Sequence, residues 1–262
     1  MWQTMDYAVC IKQVPAISEG DMDERTGNLI RSGLGQVCNP CDLSALEAGI
    51  RMKRQMGGTV TVFSMGPDSA RSVLMDGVAR GADRGVLISD PALSGADVPA
   101  TAYTLAQAIK STGQYPCVLT GNHTTDGDTG FVGAALAQCL SYAYLSGVKS
   151  IVTIEEDGIT VICERTGYTL RMKALFPCVI SVEPGVAAPA IPTFSGRIKA
   201  GKMDFAKIGV TDLEDTDASH YGSAGSATKV KRIYPPVREK KTAVQVADGV
   251  TAASMIWEKL HG

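Results

Sequence analysis

Cys117-Val118-Leu119-Thr120-Gly121-Asn122-His123-Thr124-Thr125-Asp126-Gly127-Asp128-Thr129-Gly130-Phe131-Val132-Gly133 passes from a short apolar run through a Gly-rich turn into a helical stripe made by Val132, Ala135, Leu136, Cys139 and Leu140. A buried strand that ends in such a turn and restarts as a helix is one half of a unit in which helices cover a parallel sheet. Working outward, the same pattern recurs upstream. Strand-like runs fall at Tyr7 to Ile11, Thr59 to Ser64 and Val86 to Ser89. Between them apolar residues return every three or four positions: Leu43, Leu46, Ile50; Ala70, Val73, Leu74, Val78; and Val98, Ala102, Leu105, Ile109. Asn39-Pro40 supplies a cap and a proline at the first helical position, and Gly66-Pro67 repeats the device. The fold class is α/β with a mostly parallel sheet.

Downstream the pattern changes. Ile151 to Ile154, Ile159 to Cys163, Thr169 to Met172 and Val179 to Val182 are separated by Asp157-Gly158 and Thr166-Gly167, which reads as an antiparallel extension of the sheet. After Glu183 the core signal fades, and 209–229 is so rich in Asp, Thr, Ser and Gly that it reads as an arm. Helical spacing returns through Val246, Val250, Met255, Ile256 and Leu260. The expected division is an α/β domain over 1–195 and an arm with a terminal helix over 196–262.

Composition narrows the function classes. The 262 residues include 45% hydrophobic and 20% charged, with a formal charge of -2, so no global field draws the chain to nucleic acid or anionic lipid. The basic cluster Lys229, Lys231, Arg232, Arg238, Lys240 and Lys241 reads as a solvated arm or a partner contact. No apolar run approaches the roughly 20 residues of a membrane span, and Met1 to Val14 lacks a signal-peptide pattern, so the expectation is a soluble cytoplasmic protein without membrane insertion. Seven cysteines, an odd number set mostly among apolar neighbours, do not form a secreted disulfide framework. Cys38-Asn39-Pro40-Cys41 has redox spacing but no thioredoxin-like context. His123, His220 and His261 stand in no metal-ligand spacing, so no metal site is expected.

The quoted turn is the place for a ligand, because helix N-termini at the carboxyl ends of strands offer unpaired N–H groups to anions. Gly127, Gly130 and Gly133 allow close approach or positive φ, and Thr124, Thr125 and Thr129 offer hydroxyls. Asp126 and Asp128 work against phosphate unless they cap the helix or bind a ribose or ring edge. Spacing alone leaves two readings open, a phosphate cradle and a plain connection whose Asp and Thr residues only cap.

Six pieces, in order, give the chain a resemblance to the electron transfer flavoprotein β subunit: Lys12-Gln13-Val14-Pro15; Asn39-Pro40 with Ala45-Leu46-Glu47; Ser64-Met65-Gly66-Pro67; Gly81-Ala82-Asp83-Arg84; Asp126-Gly127-Asp128-Thr129; and Lys229-Val230. The resemblance implies a Rossmann-like domain whose arm reaches an α subunit in a heterodimer. It implies nucleotide contacts from Cys10, Asn39, Pro40, Asp42 and Met65, and from His123, Thr124, Thr125, Asp126, Gly127, Asp128, Thr129, Gly130, Phe131, Val132, Gly133 and Ala134. Asp126 to Thr129 followed by Val132-Gly133 resembles the electron-bifurcating members, which hold FAD where respiratory members hold structural AMP. FAD is therefore the expected cofactor and AMP the alternative. Ala224 to Thr228 is similar to a flavin-holding element of such members, with Ser226 and Thr228 keeping its hydroxyls.

By the same resemblance, NADH would give a hydride to this FAD, and the two electrons would leave separately, one through the α-subunit FAD and one to a low-potential acceptor such as ferredoxin or flavodoxin. No residue need be a general acid, base or nucleophile, so no catalytic side chain is expected. A partner dehydrogenase would be recognised by the run Pro184 to Ala188, where Val186 falls near the family's anchoring leucine. Trp257 is a candidate anchor on the terminal helix.

Overall fold

The computed structural model describes residues 5–16, 35–229, 245–246 and 248–261. They fall into two units, a body and a second unit whose described part centres on the terminal helix. Along the body run β1 (Tyr7–Cys10), β2 (Gln13–Pro15), β3 (Gln36–Cys38), α1 (Pro40–Met56), β4 (Val60–Met65), α2 (Arg71–Arg80), β5 (Arg84–Ile88), α3 (Val98–Thr112), β6 (Cys117–Gly121) and α4 (Val132–Leu140). There follow β7 (Ala143–Ile154), β8 (Gly158–Arg165), β9 (Tyr168–Leu175), β10 (Cys178–Val182), α5 (Phe194–Lys202), β11 (Ala206–Ile208) and the single turn α6 (Gly222–Gly225). The second unit carries α7 (Gly249–His261).

Among the described residues nine strands form one sheet in the order β11-β5-β4-β1-β6-β10-β7-β8-β9, and β2 pairs with β3 separately. The strands at its centre are buried on both faces, which is why they read as unbroken apolar runs rather than alternating ones. Leu46, Ile50, Val73 and Leu74 of α1 and α2 pack on one face, and Ala102, Leu105, Leu136 and Ala137 of α3 and α4 pack on the other. All four helical stripes face the sheet as their spacing predicts. Asn39 is the N-cap residue and Pro40 the first residue of α1. Gly66-Pro67 leads instead into a 3₁₀ turn, Asp68–Ala70, that runs on into α2.

Two expectations change. The four runs beyond residue 147 do not all build an antiparallel extension. β8 runs against β7, and β9 against β8, but β10 returns to the middle of the sheet and pairs parallel with both β6 and β7. An apolar run carries no mark of its direction, so sequence could not separate it from its neighbours.

The second change concerns 196–229. β11 adds a parallel strand beside β5, and Val210, Leu213 and Tyr221 are buried against the α3 face. The polar composition hid three widely spaced anchors. Asp215 strengthens them, accepting from the Tyr103 hydroxyl and His220 Nδ1, each at 2.6 Å, while Ser223 N donates to Ser94 O at 2.8 Å. The chain therefore stays on the body to residue 229. Lys231, Arg232, Arg238, Lys240 and Lys241 lie outside the described residues. α7 begins at Gly249, where the Asp248 carboxylate accepts from Val250 N and Thr251 N, and it exposes Val250, Ile256, Trp257 and Leu260. Among the described residues no helix is long and apolar enough to cross a membrane.

Candidate functional site

The chain moves from β1 outward to β4 and β5, then crosses back to place β6 on the other side of β1. The carboxyl ends of β1 and β6 therefore diverge into a crevice, the position where open α/β sheets take ligands. Both walls are held by buried side chains from the first turn of α1. Asn39, with no exposed surface, donates through Nδ2 to His123 O at 2.9 Å and accepts at Oδ1 from Thr125 N at 3.3 Å. Asp42 accepts from Lys12 N at 2.8 Å and from Gly121 N at 3.2 Å. One helix start thus staples the loop after β1 to the turn after β6.

Gly121 approaches α1 so closely that a Cβ there would stand 2.3 Å from Asp42 Oδ1. Farther along, Asp128 at φ 48 and Gly130 at φ 67 reverse the chain before α4. Gly133 fits under the first turn of α4, where a Cβ would come within 2.9 Å of Thr120 Oγ1 and 3.1 Å of the Tyr144 hydroxyl. Gly127 differs: its Cβ would meet only Thr124 Oγ1, at 3.8 Å, so its surroundings are open.

No side chain caps α4, whose first intrahelical bond comes from Ala135 N to Phe131 O. Below that turn Thr120 Oγ1 is buried without a partner. An uncapped helix start over an orphaned hydroxyl suits a phosphate or other anion, so the residues present fit an adenine nucleotide or flavin dinucleotide. At the α4 start a cavity of about 290 Å³ is lined by Asn122, Phe131, Tyr144, Ser146, Arg165 and Glu183. Arg165 Nη2 donates to Ser146 Oγ at 2.7 Å, and Asn122 Nδ2 to Glu183 Oε1 at 2.7 Å. A larger hollow, about 420 Å³, opens at Thr61, Arg84 and Tyr115 by the amino end of β5, where none of these turns reaches. The carboxyl-end crevice has the uncapped helix start; the larger hollow lies away from it.

Burial pushes the Asp42 carboxyl up to about 7, against the pull of Asn39, Lys12 N and Gly121 N. Because an unfolded chain ionises near the ordinary 3.8, the folded form holds an extra proton between about pH 4 and 7. That contribution to stability is complete below pH 4 and is lost as pH rises to 7. Urea unfolding at pH 5 and pH 8 should show a larger loss for wild type than for Asp42→Asn; equal losses would show that Asp42 does not titrate in this window.

A family model described as "Electron transfer flavoprotein domain" matches residues 26–217. The chain is 35% identical over 266 residues to "Electron transfer flavoprotein subunit beta" of Megasphaera elsdenii, with 98% of each chain covered. It is 34% identical over 260 residues to the protein of that name from Thermoanaerobacterium thermosaccharolyticum, again with 98% of each covered. To "Protein FixA" of Sinorhizobium fredii it is 34% identical over 248 residues, 92% of this chain and 87% of that one. The chain belongs to the electron transfer flavoprotein family.

Within that family it stands with the β subunits, whose counterpart is an α subunit, and the family is one of flavin- and nucleotide-associated proteins. Of the residues expected at its nucleotide site, Cys10, Asn39, Pro40, Asp42 and His123 to Ala134 come together around the β1/β6 crevice, with Met65 one strand away at the end of β4. Asn39 and Asp42 act as staples, with their polar atoms turned to the protein. Ser226 and Thr228 lie elsewhere, at the start of α3. Ser226 Oγ donates to Gly222 O and accepts from Asp97 N, while the Thr228 hydroxyl donates to Asp97 Oδ2. Each hydroxyl proton is already committed to protein.

Cys38 and Cys41 are both buried free thiols. Burial raises both thiols, and Cys41 donates to Val182 O. Val186 packs against the core, whereas Ile191 and Phe194, beyond the Pro184 to Ala188 run, are 85% and 81% exposed. Sequence reading also passed over Lys12, Tyr144, Arg165 and Glu183. Lys12 sat inside a matching family piece; the other three carried no local signal.

Proposed function

We propose that this β subunit binds FAD across the β1/β6 crevice, with its phosphates at the start of α4, and passes electrons taken from NADH by bifurcation. The observation that carries this reading is the uncapped α4 start, whose Gly130, Phe131 and Ala134 also line the 290 Å³ cavity. The first-turn N–H groups of α4 would receive the phosphates, Gly127 leaves the mouth open, and Arg165 and Glu183 line the adjoining cavity. A bound flavin would supply the redox chemistry, accepting a hydride and releasing its electrons singly. The side chains named here bind and orient, and none is asked to move a proton.

The partner surfaces follow from exposure. Ile191, Phe194 and Ile198 form an exposed apolar set near Ala190, whose N–H is held by Glu47 and whose carbonyl is held by Arg80. This set is the proposed contact for a dehydrogenase. The segment beyond the body, with Trp257 on α7, is the proposed contact for the α subunit.

Coexpression with an α subunit, followed by a visible spectrum and mass spectrometry of the released small molecules, should give two flavins per heterodimer. One flavin with stoichiometric AMP would overturn the FAD reading. In the same preparation Gly127→Val should lose the β-site nucleotide while circular dichroism stays unchanged, because the added side chain has room in the fold but fills the mouth. Full nucleotide content in that variant would remove Gly127 from the site.

A further inference from the structure

The turn has a physical problem, since it presents acidic residues where an anion is expected to sit. Asp126 lies six residues before the α4 start. Its solution is on the opposite wall. Lys12 Nζ reaches both oxygens of Asp126, at 2.8 and 2.6 Å, across 114 residues of sequence. The Lys12 backbone is fixed at both ends, its N–H on Asp42 and its carbonyl receiving Asn39 N at 2.9 Å, so the ammonium starts from a rigid base. Asp126 Oδ1 accepts in addition from Gly127 N at 2.8 Å. Burial works to raise the Asp126 carboxyl, yet the Lys12, Thr124 and Gly127 contacts hold it below its ordinary value.

We propose that Lys12 is a positioning residue for the nucleotide site: it neutralises Asp126, so that a carboxylate can tie down the turn at Gly127 without repelling the phosphate bound beside it. This inference rests on the nucleotide reading of the crevice. Its ammonium is engaged by Asp126 and does not itself grip the ligand. The pair is partly exposed, with side chains 44% and 31% accessible, so its value lies in local charge balance rather than in stability.

Calorimetric titration of the full chain with ADP and with adenosine separates the possibilities. Lys12→Met should weaken ADP about tenfold, through the uncompensated carboxylate, and leave uncharged adenosine within about twofold. Lys12→Met combined with Asp126→Asn should return ADP to within about threefold of wild type, because both charges are then gone. Lys12→Arg, which keeps the charge, should bind ADP as wild type does. A double variant as weak as Lys12→Met would mean that Lys12 touches the anion directly, and would overturn the proposal. Equal loss for ADP and adenosine would overturn it too, since the pair would then only hold the loop. Wild type binding neither probe would overturn the nucleotide reading itself, an outcome distinct from both.

Discussion

Asn39→Ala is expected to empty the crevice of nucleotide and to lower stability by about 2–4 kcal/mol. The side chain has no exposed surface, and its amide is the link between α1 and the backbone of the turn at His123 and Thr125. Removing it leaves a carbonyl and an N–H without those partners, and each orphaned group carries a desolvation cost of roughly 1–3 kcal/mol. For a body of this size the melting temperature should fall by roughly 5–10 °C. The larger consequence is positional, because the turn loses its register against α1. Thermal melts and chromatography of the extracted nucleotide check both parts. A variant that melts within a degree or two of wild type and keeps its nucleotide would show that the amide carries neither load.

Gly121→Ala should be more damaging to the fold than any other single methyl addition in the turn, at about 3 kcal/mol. The new Cβ would stand 2.3 Å from Asp42 Oδ1 and 2.9 Å from Asp42 N and the Cys41 carbonyl carbon. Neither side can yield cheaply. Gly121 closes a central strand hydrogen-bonded to β10, and Asp42 is pinned by Lys12 N. Gly127→Ala is the control, since its Cβ meets one hydroxyl at 3.8 Å and the fold should accept it. Comparable urea midpoints for the two variants would mean that the close approach of β6 to α1 is not rigid.

Where an apolar stripe faced one surface, the sequence was readable: Leu46 and Ile50, Val73 and Leu74, Leu105 and Ile109, and Leu136 and Leu140 all point their helices at the sheet. Direction was not readable. Val179 to Val182 looks the same whether it runs with or against its neighbours, and only the crossover geometry decides. Tyr221 and Leu213 were lost in a polar segment because two or three buried side chains scarcely alter its composition. The site shows the same division. Glycines and hydroxyls marked the turn, but the partner of Asp126 lay 114 residues away and Arg165 entered from a hairpin strand, distances at which periodicity carries no information.

The return of β10 to the middle of the sheet has a consequence for how the chain is made. One side of β6 is paired by β1, but the other waits for residues 178–182. During synthesis from the amino end, the nascent sheet keeps an unsatisfied inner border while β7, β8 and β9 emerge as a local meander. The half-built domain must hold a gap open for a late insertion, and a premature docking of β7 directly on β6 would be the natural error of assembly.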